Sequence, residues 1–234
     1  MTGMGSSRQS RSKVMGLITA RGGSKGLTRK NLLEVDGKPL ISWTIDAALD
    51  SNILDRVFVS SEDDEILGAS RMLGCEVPFV RPSHLATDEA SSIEVVLHAI
   101  EQLPGFDYVV VLQPTSPLRT AVHIDEAFAA MKSVNAPSCV SVCRAQESPY
   151  WMYQLNDQQK LVPVVSSPEV ISRRQDLPMA YKLNGAIYIA KIDWLLETRV
   201  FISEASVGYV MNTQDSLDID SSDDFRIFRN LVAT

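Results

Sequence analysis

Cysteine is scarce in this 234-residue chain, and its placement excludes more than its number does. Cys75, Cys139 and Cys143 are the whole set. An odd, sparse group is no disulfide framework, and without a C-x-x-C pair there is no cysteine metal knuckle; Cys139 and Cys143 share strand parity, as buried thiols of a reducing compartment would. No apolar run reaches the eighteen or so residues that span a bilayer, and the N-terminus has no apolar signal core, so the expectation is a soluble, cytoplasmic protein with no membrane partner. Excess positive charge is absent as well. The formal net charge is -7, which argues against nucleic acid, whose phosphate backbone needs a broad basic surface. Histidine is limited to His84, His98 and His123, isolated from one another, with neither ligand spacing nor a Ser or Cys nucleophile nearby. Small anions fit these exclusions better than macromolecules.

What the chain does have is enough apolar residue, 45%, for a substantial core in one domain. Residues 1–12 are small and polar and read as a loose leader; 13–234 read as a single domain. Within it, apolar runs alternate with helical periodicity. Strands are predicted over 14–20, 57–59, an edge-like 77–80, 108–112, 138–144, 181–190 and 207–211. Helices are predicted from Pro39 through Ala48 and over 63–73, 91–103, 121–134 (Thr120 as N-cap) and 222–233. The order implies an α/β fold: an open, mostly parallel, doubly wound, Rossmann-like sheet. The rhythm breaks at 145–180, where prolines accompany Tyr150, Trp151 and Tyr153. So long a structureless loop is improbable, and an exposed aromatic excursion suits either a partner subunit or a flap over its own domain.

Against the acidic background one stretch stands out, Ala20-Arg21-Gly22-Gly23-Ser24-Lys25-Gly26 followed by Arg29, Lys30 and Asn31. It follows the first strand, on the carboxyl edge where open parallel sheets bind ligands. Glycines admit backbone N–H groups to a ligand, and such groups with fixed cations cradle phosphate; the alternative is a solvated surface turn. The spacing is not that of a Walker loop, because Leu27 stands where the second glycine is needed. Nor is it G-x-G-x-x-G, which disfavours a nicotinamide oxidoreductase.

Three further groups carry candidate chemistry. Asp218-Ile219-Asp220 sets two carboxylates on one side of an extended segment, a pattern that suits Mg2+ with its remaining positions left to water and phosphate. Solvated surface acids would look the same; Asp223 and Asp224 read simply as helix N-terminal residues. Gln113-Pro114-Thr115-Ser116-Pro117-Leu118-Arg119 follows the 108–112 strand. Its prolines stiffen the turn and fix the direction of the Gln113 amide, which either reads a sugar or belongs to a plain strand-to-helix connection. Arg81 with nearby Thr87 lies on a third loop of that edge.

The motifs Arg21-Gly22-Gly23-Ser24-Lys25-Gly26, Arg29-Lys30-Asn31, Gly37-Lys38-Pro39-Leu40 and Leu112 to Arg119, in this order, resemble those of the CMP-sialic acid synthetases (CMP-N-acylneuraminate or nonulosonate cytidylyltransferases). Thr28 stands where that family usually has proline. The resemblance runs from about Val14 to the final helix and implies a nucleotidyltransferase-type fold whose excursion at about 145–180 builds a homodimer. It implies transfer of CMP from CTP to the anomeric hydroxyl of a nine-carbon acidic sugar of the sialic, legionaminic or pseudaminic type, with Mg2+ as cofactor and release of pyrophosphate. By resemblance Arg21, Lys25, Lys30 and Asp220 are catalytic. Ala20, Arg21, Gly22, Gly23, Ser24, Lys25, Asn31, Arg81 and Thr87 hold the nucleotide. Gln113, Thr115, Ser116, Arg173, Asn184, Gly185, Tyr188 and Phe201 hold the sugar, Arg173 or Arg174 reaching towards a neighbour's site. Gln214 to Asp220 resembles the metal segment, with Asp218 and Asp220 as ligands. The rival readings are a noncatalytic binder on the same scaffold and an eight-carbon (Kdo-type) cytidylyltransferase. All of them need cations near residue 25 to meet acids near residue 219 in space.

Overall fold

The computed structural model describes residues 11–23, 26–166 and 173–233. In chain order the elements are β1 (Val14–Thr19), β2 (Glu34–Val35), β3 (Lys38–Pro39), α1 (Leu40–Leu49), β4 (Arg56–Ser60), α2 (Asp64–Met72), α3 (Ser92–Gln102), β5 (Tyr108–Leu112), α4 (Ala121–Ser133) and β6 (Ser138–Arg144). After them come β7 (Tyr153–Leu155), β8 (Leu161–Pro163), β9 (Tyr181–Lys191), α5 (Ile192–Thr198), β10 (Val207–Met211) and α6 (Ser222–Val232). Six strands form one sheet in the order β10-β6-β9-β5-β1-β4. β1 runs parallel to β4 and β5, and β10 parallel to β6, while β9 is antiparallel to both its neighbours. The mostly parallel expectation therefore holds.

Side-chain alternation along the strands sorts the core into two layers. Val14 and Ile18 face α1, α2 and α4 through Ile41, Ile45, Ile66, Ile124 and Met131. Met15 and Leu17 face the other way, towards Val96 and Ala99 of α3 and Ile192 and Leu195 of α5. Each such fully buried side chain contributes about 2 kcal/mol by leaving water. A third cluster, Val35, Leu40, Ile219 and Phe228, ties α1 and α6 to the segment before α6.

α2, α4 and α6 start where side chains satisfy N–H groups of the first turn, whereas α1 and α5 start without a side-chain cap. Asp63 accepts from the N–H groups of Glu65 and Ile66. Ser221 and Asp224 form a reciprocal capping box on α6, which gives Asp224 its helix-terminal role. At α4 the imidazole Nδ1 of His123 accepts from the N–H of Thr120 at 3.1 Å. One predicted strand is corrected: 77–80 forms no strand, and only a single bridge between Phe58 and Glu76 marks the approach. Pro78 has no N–H to donate to a ladder there.

Over 145–166 and 173–180 the chain stands outside the six-stranded sheet, and β7 and β8 pair only with each other. This hairpin carries Tyr153, Leu155, Leu161 and Val162, all exposed. Cys75, Cys139 and Cys143 are free and buried. No described helix is long and apolar enough to cross a membrane.

Candidate active site

Because β4, β1 and β5 are parallel neighbours, their carboxyl ends open on one edge, and the loops that follow meet there. A cavity of about 470 Å³ lies on that edge, lined by Thr19, Arg21, Lys30, Asn31, Arg81, Thr87, Asp88, Val96, Gln113, Thr115, Tyr188 and Phe201 among others. Segments almost two hundred positions apart meet beside it, through the lining residue Lys30. Lys30 Nζ donates to the Ile219 carbonyl at 2.6 Å and to Asp220 Oδ1 at 3.1 Å. At Gly26 the loop runs so close to the Asp220 carbonyl that a Cβ would collide with it. The cations and the paired acids thus converge, as the sequence requires.

On the cationic wall nearly every donor already has an acid. Arg21 Nη1 stands 2.8 Å from Asp88 Oδ1 and donates to the Thr87 carbonyl at 3.3 Å. The Gly22 N–H donates to Glu62 Oε1 at 2.7 Å. Arg29 pairs with Asp63 at 3.3 Å and with Glu65 at 2.9 Å. Asn31 is buried; its amide donates to the Arg21 carbonyl at 3.0 Å, while its Oδ1 is buried and accepts from no protein donor. Arg81 is a brace as well as a lining residue. Its Nη2 donates to the carbonyls of Ala20 and Ser60, its Nε to Ser60 Oγ, and burial pulls its pKa down to about 10.

The opposite wall is built on the turn after β5. The Ile219 N–H donates to the Thr115 carbonyl at 2.8 Å, which hangs the acidic segment on that turn. Burial pushes the Asp218 carboxyl above the usual range, against a hydrogen bond from the Thr115 side chain, and Asp218 Oδ1 is buried with no protein donor. Gly185 sits beside an irregularity in the β6–β9 pairing with φ +75°. A Cβ there would stand 3.1 Å from Gln113 Oε1 and 3.8 Å from Asp218 Oδ2, so only glycine fits both the conformation and the approach. Tyr188 and Phe201 pack edge to face at 5.6 Å, and burial followed by the Asp218 charge raises the Tyr188 hydroxyl pKa.

Other expected residues stand apart. Ser116 and Asn184 do not line the cavity but lie beneath it. Ser116 is fully buried, and the Asn184 amide donates to Ser216 Oγ at 2.9 Å while its Oδ1 accepts from Ser141 Oγ at 2.5 Å. Their physical role here is to hold the turn and the 212–216 connection, which a motif cannot distinguish from contact. Arg173 pairs with Asp176 at 3.6 Å in the excursion, outside the cavity. Gly23 does not line the cavity, and a Cβ built on it would meet open space. Ser24 and Lys25 lie outside the described residues. Sequence reading gave no site role to Glu62, Asp63 or Asp88, the acids that hold the cationic wall; the first two were signalled only by a Ser-Ser-Glu-Asp-Asp run at the end of β4, and Asp88 only by its place beside Thr87.

The acids fit Mg2+ in donor chemistry. Among the described residues no three His, Cys, Asp or Glu side chains group as a ready metal cage. Yet Mg2+ is commonly held by one or two carboxylates plus phosphate and water, and a buried carboxylate oxygen without a donor suits such an ion.

Comparison with known proteins agrees with this geometry. A family model described as Cytidylyltransferase matches residues 15–218. The chain is 35% identical over 218 residues to an N-acylneuraminate cytidylyltransferase of Escherichia coli O18:K1:H7, covering 93% of this chain but only 51% of that protein, so it spans about half the length of that relative. It is 35% identical to a CMP-N,N'-diacetyllegionaminic acid synthase of Legionella pneumophila, over 94% of this chain and 96% of the relative. Against a pseudaminic acid cytidylyltransferase of Campylobacter jejuni it is 34% identical with 94% and 96% covered. A solved CMP:2-keto-3-deoxy-manno-octonic acid synthetase complexed with CTP superposes with a TM-score of 0.73 at 19% identity, over 95% of this chain and 99% of that one, which is a likeness of fold. By the family match and these identities, the chain belongs to the cytidylyltransferase family.

Proposed function

We propose that this protein transfers CMP from CTP to the anomeric hydroxyl of a nine-carbon acidic sugar and releases pyrophosphate. The observation that carries the reading is the junction of Lys30 with Ile219 and Asp220 beside the carboxyl-edge cavity. It gives one cleft both the cations a triphosphate needs and the acids a metal needs. The named relatives that the chain covers almost end to end act, by their names, on legionaminic and pseudaminic acids.

Transfer of this kind depends on positioning and on neutralising oxygen charge. Arg21 and Lys30, with Lys25 of the same loop, hold the triphosphate, exchanging their internal acids for phosphate oxygens. Asn31 and the loop of Arg81 and Thr87 receive the nucleoside: the orphan Asn31 Oδ1 accepts, and Arg81 keeps the wall rigid. Gln113, fixed by its turn, offers an amide to the sugar, and Tyr188 and Phe201 form the apolar side of its pocket. Asp218, with Asp220, would hold Mg2+, which supplies charge neutralisation at the phosphates and acidifies a nearby hydroxyl. The exposed β7–β8 hairpin supports a homodimer, with Arg173 or Arg174 directed at a partner's pocket. Three free, buried thiols suit the cytoplasm.

The test is direct. Purified protein is incubated with CTP, Mg2+ and sialic, legionaminic or pseudaminic acid in turn, with Kdo as the eight-carbon control, while pyrophosphate is followed. Release with at least one nine-carbon sugar and at most a trace with Kdo is expected; CTP binding without release from any sugar leaves only a binder.

A further inference from the structure

Beneath the sugar wall lies a charge that the reaction as outlined does not use. Arg119 is 1% exposed, the largest fully buried side chain among the described residues. Its Nη2 donates to Thr44 Oγ1 at 2.8 Å and to the Gln113 carbonyl at 3.3 Å. Its Nε and Nη1 meet no protein acceptor, and among the described residues no carboxylate pairs with it. Burial accordingly draws its pKa down, but a guanidinium is basic enough to stay charged at neutral pH. Keeping a cation in such a place is costly, and a neutral side chain of similar volume would pack as well or better.

The cost is informative because of where the guanidinium is anchored. The Gln113 carbonyl accepts from three donors at once: Arg119 Nη2, Thr44 Oγ1 at 3.4 Å and the Ser116 N–H at 3.3 Å. These fix the peptide directly behind the Gln113 side chain. The same turn presents the Thr115 carbonyl to Ile219 and the Thr115 hydroxyl to Asp218. One buried group therefore stands under Gln113 and under the support of Asp218 together.

Building on the functional reading above, we propose that Arg119 is a positioning residue for the acidic sugar. It fixes the Gln113–Thr115 turn from below and lends that wall a buried positive charge matched to the sugar's carboxylate. It acts through Gln113 and the turn, not by touching substrate. CTP meets this turn only through Asp218 and is otherwise held by the opposite wall, so it should feel the loss of Arg119 much less than the sugar does.

The experiment compares wild type with Arg119→Met, Arg119→Lys and Thr44→Val, measuring melting temperature, KM for sugar and for CTP, kcat, and the calorimetric Kd of the sugar. Arg119→Met is expected to melt at or above the wild-type temperature, yet to raise sugar KM and Kd at least tenfold while CTP KM stays within about twofold. Arg119→Lys, which keeps the charge and loses the fork, is expected to recover part of the sugar affinity. Wild-type sugar affinity in Arg119→Met, or equal losses for sugar and CTP, overturns the proposal. Should Arg119→Met fail to fold, Thr44→Val decides it: a severalfold rise in sugar KM at constant CTP KM supports the proposal, and no rise overturns it. Failure of the wild type to bind or turn over any nine-carbon sugar overturns the functional reading, and this inference with it. Wild-type turnover with an indifferent Arg119 overturns this inference alone.

Discussion

The two walls of the cavity solve the same electrostatic problem in opposite ways. On the cationic wall, Arg21, the Gly22 N–H and Arg29 are held by Asp88, Glu62, Asp63 and Glu65. That wall keeps two buried oxygens without a hydrogen bond, Asn31 Oδ1 and Glu62 Oε2, the latter 4.0 Å from Arg81. On the turn wall the unpartnered buried atoms, Asp218 Oδ1 and Arg119 Nε and Nη1, belong to charged groups with no counter-ion in contact among the described residues. The first wall is balanced by exchangeable acids, so a polyanion entering it swaps one set of negative oxygens for another at small net cost. The second carries its imbalance in buried groups that cannot swing away, so it is prepared for a ligand before one arrives. Preparation of that kind is what lowers a barrier, since a preorganised group costs no reorganisation when charge develops.

If that contrast is right, the largest effect belongs to the prepared wall. Asp218→Asn keeps the shape and a hydrogen-bond acceptor but removes the negative charge. Mg2+-dependent pyrophosphate release is expected to fall about a thousandfold, a loss of about 4 kcal/mol in the transition state, with melting temperature at or above wild type because a buried charge has gone. Retention of more than a tenth of wild-type turnover would break the distinction between the walls.

The exchangeable wall should respond in the other direction and more gently. Asp88→Asn weakens the internal hold on Arg21 while leaving the side chain's size unchanged. Both partners are partly exposed, so the ion pair is worth about 0.5 kcal/mol. CTP KM is expected to fall about two- to threefold at low salt, and the difference to shrink as salt screens the pair. A raised CTP KM would show that Asp88 helps the nucleotide instead of competing with it.

How much of this could be read from the residues follows the same divide. Strand and helix positions were legible because apolar spacing of two and of 3.6 reports burial directly. The convergence of Lys30 with Asp220 was legible only as a requirement, since no local rule states that residues 30 and 220 touch. The antiparallel placement of β9 was hidden because a strand's direction depends on its connection, here the excursion, and not on its letters. The acids of the cationic wall were missed for a related reason. Glu62, Asp63 and Asp88 look like surface charge until the fold sets them against Arg21, Gly22 and Arg29. Ser116 and Asn184 show the converse, residues of recognisable motifs whose contacts lie beneath the cavity they help to shape.

A carboxylate outside the cavity calibrates both walls. Asp125 on α4 feels burial, which favours protonation, but hydrogen bonds from Ser51 Oγ at 2.6 Å, Asn52 Nδ2 at 2.8 Å and the Asn52 N–H at 3.2 Å outweigh it and hold its pKa below the ordinary value. Its donors neither exchange with substrate nor await one; they fasten α4 to the turn after α1. A carboxylate with a lowered folded pKa contributes stability above its unfolded pKa and loses it as pH falls through the folded value. Asp125→Asn should therefore melt about 1–2 °C below wild type at neutral pH, for about 0.5 kcal/mol after allowing for solvent screening. That gap should begin to narrow below about pH 4, where the unfolded carboxyl starts to take up protons, and close as pH falls through the lowered folded value, without any change in CTP KM at neutral pH. Melting curves of the two proteins between pH 3 and 7 measure it, and a gap that persists unchanged at pH 3 would mean that the charge of Asp125 is not what fastens α4. Should the gap close as expected, the neutral-pH calibration gives the worth of a carboxylate held purely by fold donors. A cavity acid such as Asp88 answers to a ligand where its loss shifts CTP KM, which Asp125→Asn leaves unchanged.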